Sequence, residues 1–179
     1  MAAIQGRRAI PRRDLLTPSN TRGSRQVHFS EFYPGQIITA GPEAIGEHQI
    51  IAFAREYDPQ WFHVDRIRAE KGTWHGLIAS GWQTCAIAMR MVCAAALVGS
   101  NSIGSPGLSY VKWENAVRPG DELRLRIEVI ETRVAQSRPD LGIVRWRWTM
   151  FNQRLERVLD LEATSLFDLA RNEPADKLT

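Results

Sequence analysis

Cysteine is almost absent from this chain: Cys85 and Cys93 are the only two in 179 residues. On a shared helix they would stand about 12 Å apart along the axis, at roughly 1.5 Å per residue. A disulfide needs its Cα atoms within roughly 7 Å. No bridge is expected, and two small thiols suit a reducing cytoplasm better than a secreted scaffold. Also missing are a glycine-rich phosphate loop, a G-x-S-x-G nucleophile elbow and an H-E-x-x-H helix. Nothing therefore points to nucleotide binding, serine hydrolysis or zinc proteolysis. His63, Asp65 and His75 come without paired cysteines, so no metal site is expected. Residues 1–25 hold no apolar core of the kind that opens a secretory leader, and a cytoplasmic protein is expected.

Net charge is small outside one end. Of an overall +3, residues 1–25 carry Arg7, Arg8, Arg12, Arg13, Arg22 and Arg25 against Asp14 alone, a local +5 that leaves −2 for the rest. A faintly acidic body excludes a basic nucleic-acid-binding domain, and no nucleic-acid partner is expected. Arg-rich, acid-poor openings can resemble organelle transit peptides. Here Pro11, Pro18 and the lack of an amphipathic run favour a disordered basic arm over residues 1–26. One domain is expected over residues 27–170, with a polar end at 171–179. The apolar share of 44% and charged share of 24% are those of a folded globular chain.

No apolar stretch is clean enough for a bilayer. Residues 78–98 come nearest in length, but Arg90 stands mid-run with Gly81, Gln83 and Thr84 beside it. A charge at the bilayer centre costs roughly 3 kcal/mol on insertion scales. Helix formers dominate from Cys85 to Leu97, so the stretch reads as a helix, apolar on nearly every side and buried in the fold.

Around that helix the punctuation is legible. Pro34-Gly35 marks a turn before a short strand at 36–40. Ile45, Ile50, Ile51, Phe53 and Ala54 are spaced for an amphipathic helix centred on 47–56, which Pro59 must end. Residues 64–72 read as one or two turns capped by Asp65 and stopped by Gly72. Residues 100–107 read as a loop and 108–114 as a strand. Leu123, Leu125, Ile127 and Val129 alternate with charged residues, as do Val144, Trp146, Trp148 and Met150 with Arg145, Arg147 and Thr149. Both are period-2 strands, joined by a loop at 137–140, with a last strand over 158–167. The predicted face of Trp146 and Trp148 is toward the helix, with the arginines outward. A partner-facing position for the two indoles is the competing reading.

One strand, a buried helix and then four strands is an α+β order. It matches a hot-dog arrangement, an antiparallel sheet of about five strands wrapped around a long central helix. Such a sheet keeps an open edge and an open face, so a homodimer or an assembly of dimers is expected.

Chemistry concentrates in Tyr57-Asp58-Pro59-Gln60-Trp61-Phe62-His63-Val64-Asp65. Asp58 falls where the first helix must end, where the negative end of the helix dipole raises carboxylate proton affinity. His63 is expected to return on a loop facing it, and imidazole titrates near neutral pH. Together the two can hold one water, one group taking its proton while the other orients it. A plain Asp-Pro turn and a half-buried structural histidine are the alternatives. The second constellation, Trp74-His75-Gly76-Leu77-Ile78-Ala79-Ser80-Gly81, opens the long helix. Free amides at a helix start can hold a developing oxyanion, and Gly76 lets a carbonyl approach. Gly76 and Gly81 can equally serve only close packing.

These two motifs together, with Phe53-Ala54, Ala69, Gly104-x-Pro106-Gly107 and Val117-Arg118-Pro119-Gly120-Asp121, resemble the MaoC-like dehydratase family, which includes the (R)-specific enoyl-CoA hydratases. The resemblance spans about residues 27–170. It implies a hot-dog fold, a homodimer, and reversible addition of water to the 2,3 double bond of an acyl thioester carried on coenzyme A or an acyl carrier. It implies no cofactor. Asp58 and His63 match the family's catalytic pair with the same five-residue separation. Where that family often shows Asn followed by Pro, this chain has Gln60 and Trp61, with proline at 59. A serine that some hydratases place six positions after the motif histidine is replaced by Gly81, with Ser80 one position earlier. Gly76, Ser80 and Gly81 are thus the candidate oxyanion and substrate-binding residues. Two alternatives share the fold: a hot-dog acyl thioesterase, and a non-catalytic subunit that binds acyl thioesters.

Overall fold

The computed structural model describes residues 27–170. The basic arm over 1–26 and the polar end at 171–179 lie outside the described residues. In chain order the elements are β1 (Ile37–Ala44), α1 (Glu47–Tyr57), α2 (Trp61–Val64), α3 (Arg66–Lys71), α4 (Gly81–Val92), β2 (Ser102–Lys112), β3 (Glu122–Ala135), β4 (Arg138–Phe151) and β5 (Arg157–Asp168). All strand pairs are antiparallel, in the order β1-β3-β4-β5-β2. The architecture is the hot-dog fold, five strands curled about one principal helix.

Alternation builds the core. Val129 pairs with Trp146, Ile127 with Trp148 and Leu125 with Met150, and on the next strand Leu159, Leu161 and Ala163 continue the same face. Residues two apart share a face of a strand, so one inner surface collects these side chains. Trp146 has no exposed surface and Trp148 very little within a single chain, which places both in the core and not on a partner-facing surface. Phe32 stands edge-on to Trp146, with ring centroids 5.5 Å apart. Arg147 lies on the opposite face, where it grips Asp160 through two bonds of 2.8 and 2.6 Å.

Four expectations need correction. First, β1 runs on to Ala44 through a bulge between Ala40 and Glu43, where Gly41 takes a φ of +99 and a side chain would strike the Leu123 carbonyl. Second, β2 begins at Ser102, inside the expected loop. Its register shifts around Gly104 and Gly107, a pattern edge strands tolerate. Third, β3 and β4 extend their hairpin over the expected loop at 137–140. Fourth, the long helix starts at Gly81, continues as a π-helical segment over Cys93–Leu97, and is not buried all round. Ile87, Ala88, Met91 and Val92 face the sheet, whereas Trp82 is 60% exposed and Met89 also lies open. A sheet covers only one side of a helix, and α1 reaches only one flank of the other. No helix among the described residues is long and apolar enough to cross a membrane.

Candidate active site

Helix α1 ends because Pro59 cannot follow it. Asp58 is its C-cap, with a non-helical backbone and its N–H donated to the Ala54 carbonyl at 2.9 Å. Two consecutive turns then redirect the chain: the Gln60 N–H donates to the Asp58 carbonyl at 2.8 Å and the His63 N–H to the Gln60 carbonyl at 2.9 Å. His63 therefore sits in the single turn of α2, not on a loop, and its side chain points back at Asp58.

The geometry is specific. His63 is only 4% exposed. Its Nδ1 lies 2.8 Å from the Ile78 carbonyl oxygen. A carbonyl only accepts, so that nitrogen carries a proton, and whenever the ring is neutral its lone pair is on Nε2. Nε2 is 3.3 Å from Asp58 Oδ2. Asp58 also accepts a 2.7 Å bond from the Ser80 hydroxyl at Oδ2 and a 2.8 Å bond from the Gln60 amide at Oδ1. Burial acts to raise its pKa, but the bonds from Ser80 and Gln60 and the nearby His63 together outweigh it. The carboxyl is held below its ordinary value, against the rise expected from the helix dipole alone. It is ionised at neutral pH.

Ser80 links this pair to the principal helix. It is the N-cap of α4, accepting from the Trp82 N–H at 3.2 Å while donating to Asp58. Four residues separate Gly76 from the true helix start, and none of them is helical. The Gly76 N–H donates to the Ala69 carbonyl at 3.0 Å, the Ile78 N–H to Phe62 and the Ala79 N–H to Val117. Gly76 has a φ of +140, which suits glycine, and a side chain there would press on Arg118. The Gly81 N–H, first of the helix, has no hydrogen-bond partner among the described residues. Gly81 also admits the Trp113 ring, which a Cβ would meet at 2.5 Å.

A cavity of about 470 Å³ opens on this side of the fold, lined by His63, Gly81, Trp74, Trp113, Arg118 and Arg154 among others. Asp58, His63 and Ser80 thus come together at the start of α4, whose first residue is Gly81, while the Gly76 N–H is already taken by the Ala69 carbonyl. Trp113 and Arg154 carried no sequence signal, because they reach the cavity from segments remote in the chain. Arg118 lies in a motif that was legible, and it braces the cavity wall by donating to the Trp74 carbonyl at 2.7 Å. Among the described residues no three His, Cys, Asp or Glu side chains are grouped to hold a metal ion.

Comparison with known proteins identifies the family and the fold. Residues 24–145 match the family described as the MaoC like domain. The uncharacterized protein YdeM of Bacillus subtilis is 32% identical over 140 residues, covering 78% of this chain and 98% of that protein. The crystal structure of a MaoC-like dehydratase from Rhodospirillum rubrum is 35% identical and superimposes with a TM-score of 0.71, over 78% of this chain and 94% of the other. The R-hydratase PhaJ1 of Pseudomonas aeruginosa, 24% identical with a TM-score of 0.67 over 80% and 86% of the two chains, shares the fold. This chain belongs to the MaoC-like domain family.

Proposed function

We propose that the protein is a hydro-lyase that reversibly adds water to the 2,3 double bond of an acyl thioester, giving the 3-hydroxyacyl thioester. The observation that carries the reading is the facing of His63 Nε2 and Asp58 Oδ2 at 3.3 Å, with Nδ1 pinned to a backbone carbonyl. When the ring is neutral, Nε2 and the ionised Oδ2 are both acceptors on one side, and one water molecule can donate a proton to each. His63 accepts a proton from that water as its oxygen bonds to C3. The double-bond electrons move toward the thioester oxygen, where the Gly81 N–H lies ready to receive the developing charge. The proton held on Nε2 then passes to C2, and both side chains return to their starting states. Asp58, ionised, orients the water and stabilises the transient imidazolium. Ser80 and Gln60 act through Asp58 by fixing its carboxylate. An acyl thioester supplied on coenzyme A or an acyl carrier is substrate here, and no further cofactor enters.

The same reading includes a homodimer. Among the described residues the outer edge of β2 has no strand beside it, and Ile103 and Leu108 on it and Val98 before it are exposed. The open face of α4 adds Trp82 and Met89. Light scattering on the purified chain tests this, with a mass of twice 20.3 kDa expected.

The activity is tested by incubating the protein with a panel of 2-enoyl and 3-hydroxyacyl thioesters and analysing both products. Interconversion of the two acyl forms is expected. Release of free thiol without hydration would replace the reading by a thioesterase.

A further inference from the structure

The cavity beside His63 is lined by Glu114, Arg118, Arg154 and Glu156 as well as by apolar side chains. Three of these four charges are already matched. Glu156 accepts from the Arg154 Nε at 2.9 Å, and Glu114 is gripped by Arg157 through bonds of 2.7 to 2.9 Å. Arg118 is half-buried, and among the described residues its guanidinium has no carboxylate within ion-pairing distance. Asp121, three residues on, accepts the Arg118 main-chain N–H at 2.8 Å and not the side chain. The wall is left with one uncompensated positive charge, on a group that keeps its proton in proteins.

Backbone bonds tie this charge to the catalytic pair. The Ala79 N–H donates to the carbonyl of Val117, the residue before Arg118, at 2.8 Å. The carbonyl of Ile78, the residue before Ala79, is the one that holds His63 Nδ1 at 2.8 Å. The guanidinium lies back along that same segment. Its Nη2 donates to the Trp74 carbonyl at 2.7 Å, and its Nη1 stands 3.3 Å from where a Gly76 side chain would begin. One carbonyl uses one of the five N–H donors, and the planar fork suits a carboxylate through two parallel bonds. Any phosphate of the carrier lies far down its arm from the thioester, and coenzyme A brings several negative charges. The acyl group reacts beside His63, within this cavity, and one carboxylate on it matches one unpaired charge.

We propose that Arg118 binds a carboxylate carried on the acyl group. The inference rests on the hydration reading above and names its substrate class: 2-enoyl thioesters of dicarboxylic acids, joined to the carrier through one carboxyl and free at the other. Trp74, Trp113 and Val158 offer apolar wall for the stem between the two ends. An uncharged tail leaves the guanidinium unpaired, and a site built to pair a polar group discriminates against the analogue that lacks it.

The test uses 2-enoyl-CoA substrates lengthened one methylene at a time, each ending in a carboxylate or in its methyl ester. At one length the wild-type protein is expected to favour the acid over the ester roughly 10–100-fold in kcat/KM, the worth of hydrogen bonds to a charged group. Arg118→Gln keeps a donor for the Trp74 carbonyl and removes the charge, so that ratio is expected to fall to unity or below. Arg118→Lys keeps the charge without the fork and should retain part of the preference. If Arg118→Gln does not fold, the wild-type ratio and its partial retention in Arg118→Lys decide. The same acids and esters on N-acetylcysteamine, which carries no phosphate, should show the same preference. No preference at any length in the wild-type protein, or one that survives Arg118→Gln, overturns the proposal. So does a variant that slows acid and ester alike on coenzyme A and neither on N-acetylcysteamine, which would assign Arg118 to a carrier phosphate. Hydration without preference refutes only this proposal, whereas no hydration of any member refutes the reading beneath it as well.

Discussion

Replacing Ser80 by alanine removes a hydroxyl that makes two bonds at a position with no exposed surface. One is the N-cap of α4, donated by the Trp82 N–H. Loss of such a cap costs roughly 1 kcal/mol. The other, 2.7 Å long, goes to the Asp58 carboxylate, and a hydrogen bond to a charged group contributes roughly 1.5–3 kcal/mol. Together the substitution should cost roughly 2–4 kcal/mol at neutral pH. The second contribution depends on pH. Burial works to raise the Asp58 pKa, and the Ser80 bond is the foremost of the interactions that reverse this and hold it low. A carboxyl whose folded pKa is depressed contributes stability that is complete above its unfolded value, near 3.9, and is lost as pH falls through the folded value. The deficit of the alanine variant should therefore be widest at neutral pH and shrink in acid toward the cap's share alone. Urea unfolding of both proteins across buffers from neutral to strongly acidic reads it directly. On an active substrate, the acid limb of the rate profile should also move to higher pH in the variant, because Asp58 then protonates sooner. A deficit of constant size at every pH would refute the reasoning and leave Ser80 as a helix cap only.

Trp146→Ala and Trp148→Ala should each destabilise the fold by roughly 3–5 kcal/mol, since both indoles are core groups. A loss relative to wild type that has the same size at every protein concentration would place it within one chain, and a loss that changes with concentration would place it at an interface. Asp160→Ala should cost roughly 1.5–3 kcal/mol by removing the charge-assisted bonds to Arg147, whose side chain is still about one-third exposed to water. Asp160→Ala combined with Arg147→Met should recover much of that loss, as measured by denaturant unfolding; no recovery would show that the pair is not coupled.

The strands that form the core were legible because a pleated chain exposes alternate residues, so Leu123 to Val129 and Val144 to Met150 announce both their period and their buried face. Pro59 announced the end of α1, and Asp65 its neighbour's cap, by backbone chemistry that acts within a few residues. What stayed hidden depends on contacts between distant segments. Leu77 to Ser80 could begin a helix on local propensity, but the bonds from Ile78 to Phe62 and from Ala79 to Val117 hold it out of one, and the helix starts at Gly81. Gly104, Pro106 and Gly107 disguised the first half of β2, since an edge strand accepts residues that a central one refuses. At the site, the spacing of Asp58 and His63 was visible, and so was the departure at Gln60. That Gln60 and Ser80 both bond the Asp58 carboxylate became visible only when the turn between α1 and α2 was folded. The low carboxylate pKa follows from those two bonds and from the nearby His63, which no local pattern reveals.

The central claim is that Asp58 and His63 act together on one water. Loss of the conjugated enoyl-thioester absorbance, followed for the wild-type protein, Asp58→Asn and His63→Ala, tests it most directly. The wild-type protein should consume a short 2-enoyl-CoA, and each variant should be slower by roughly 10²–10⁴-fold, the usual contribution of a positioned acid or base, while melting cooperatively like the wild type. Variants that hydrate at the wild-type rate would contradict it.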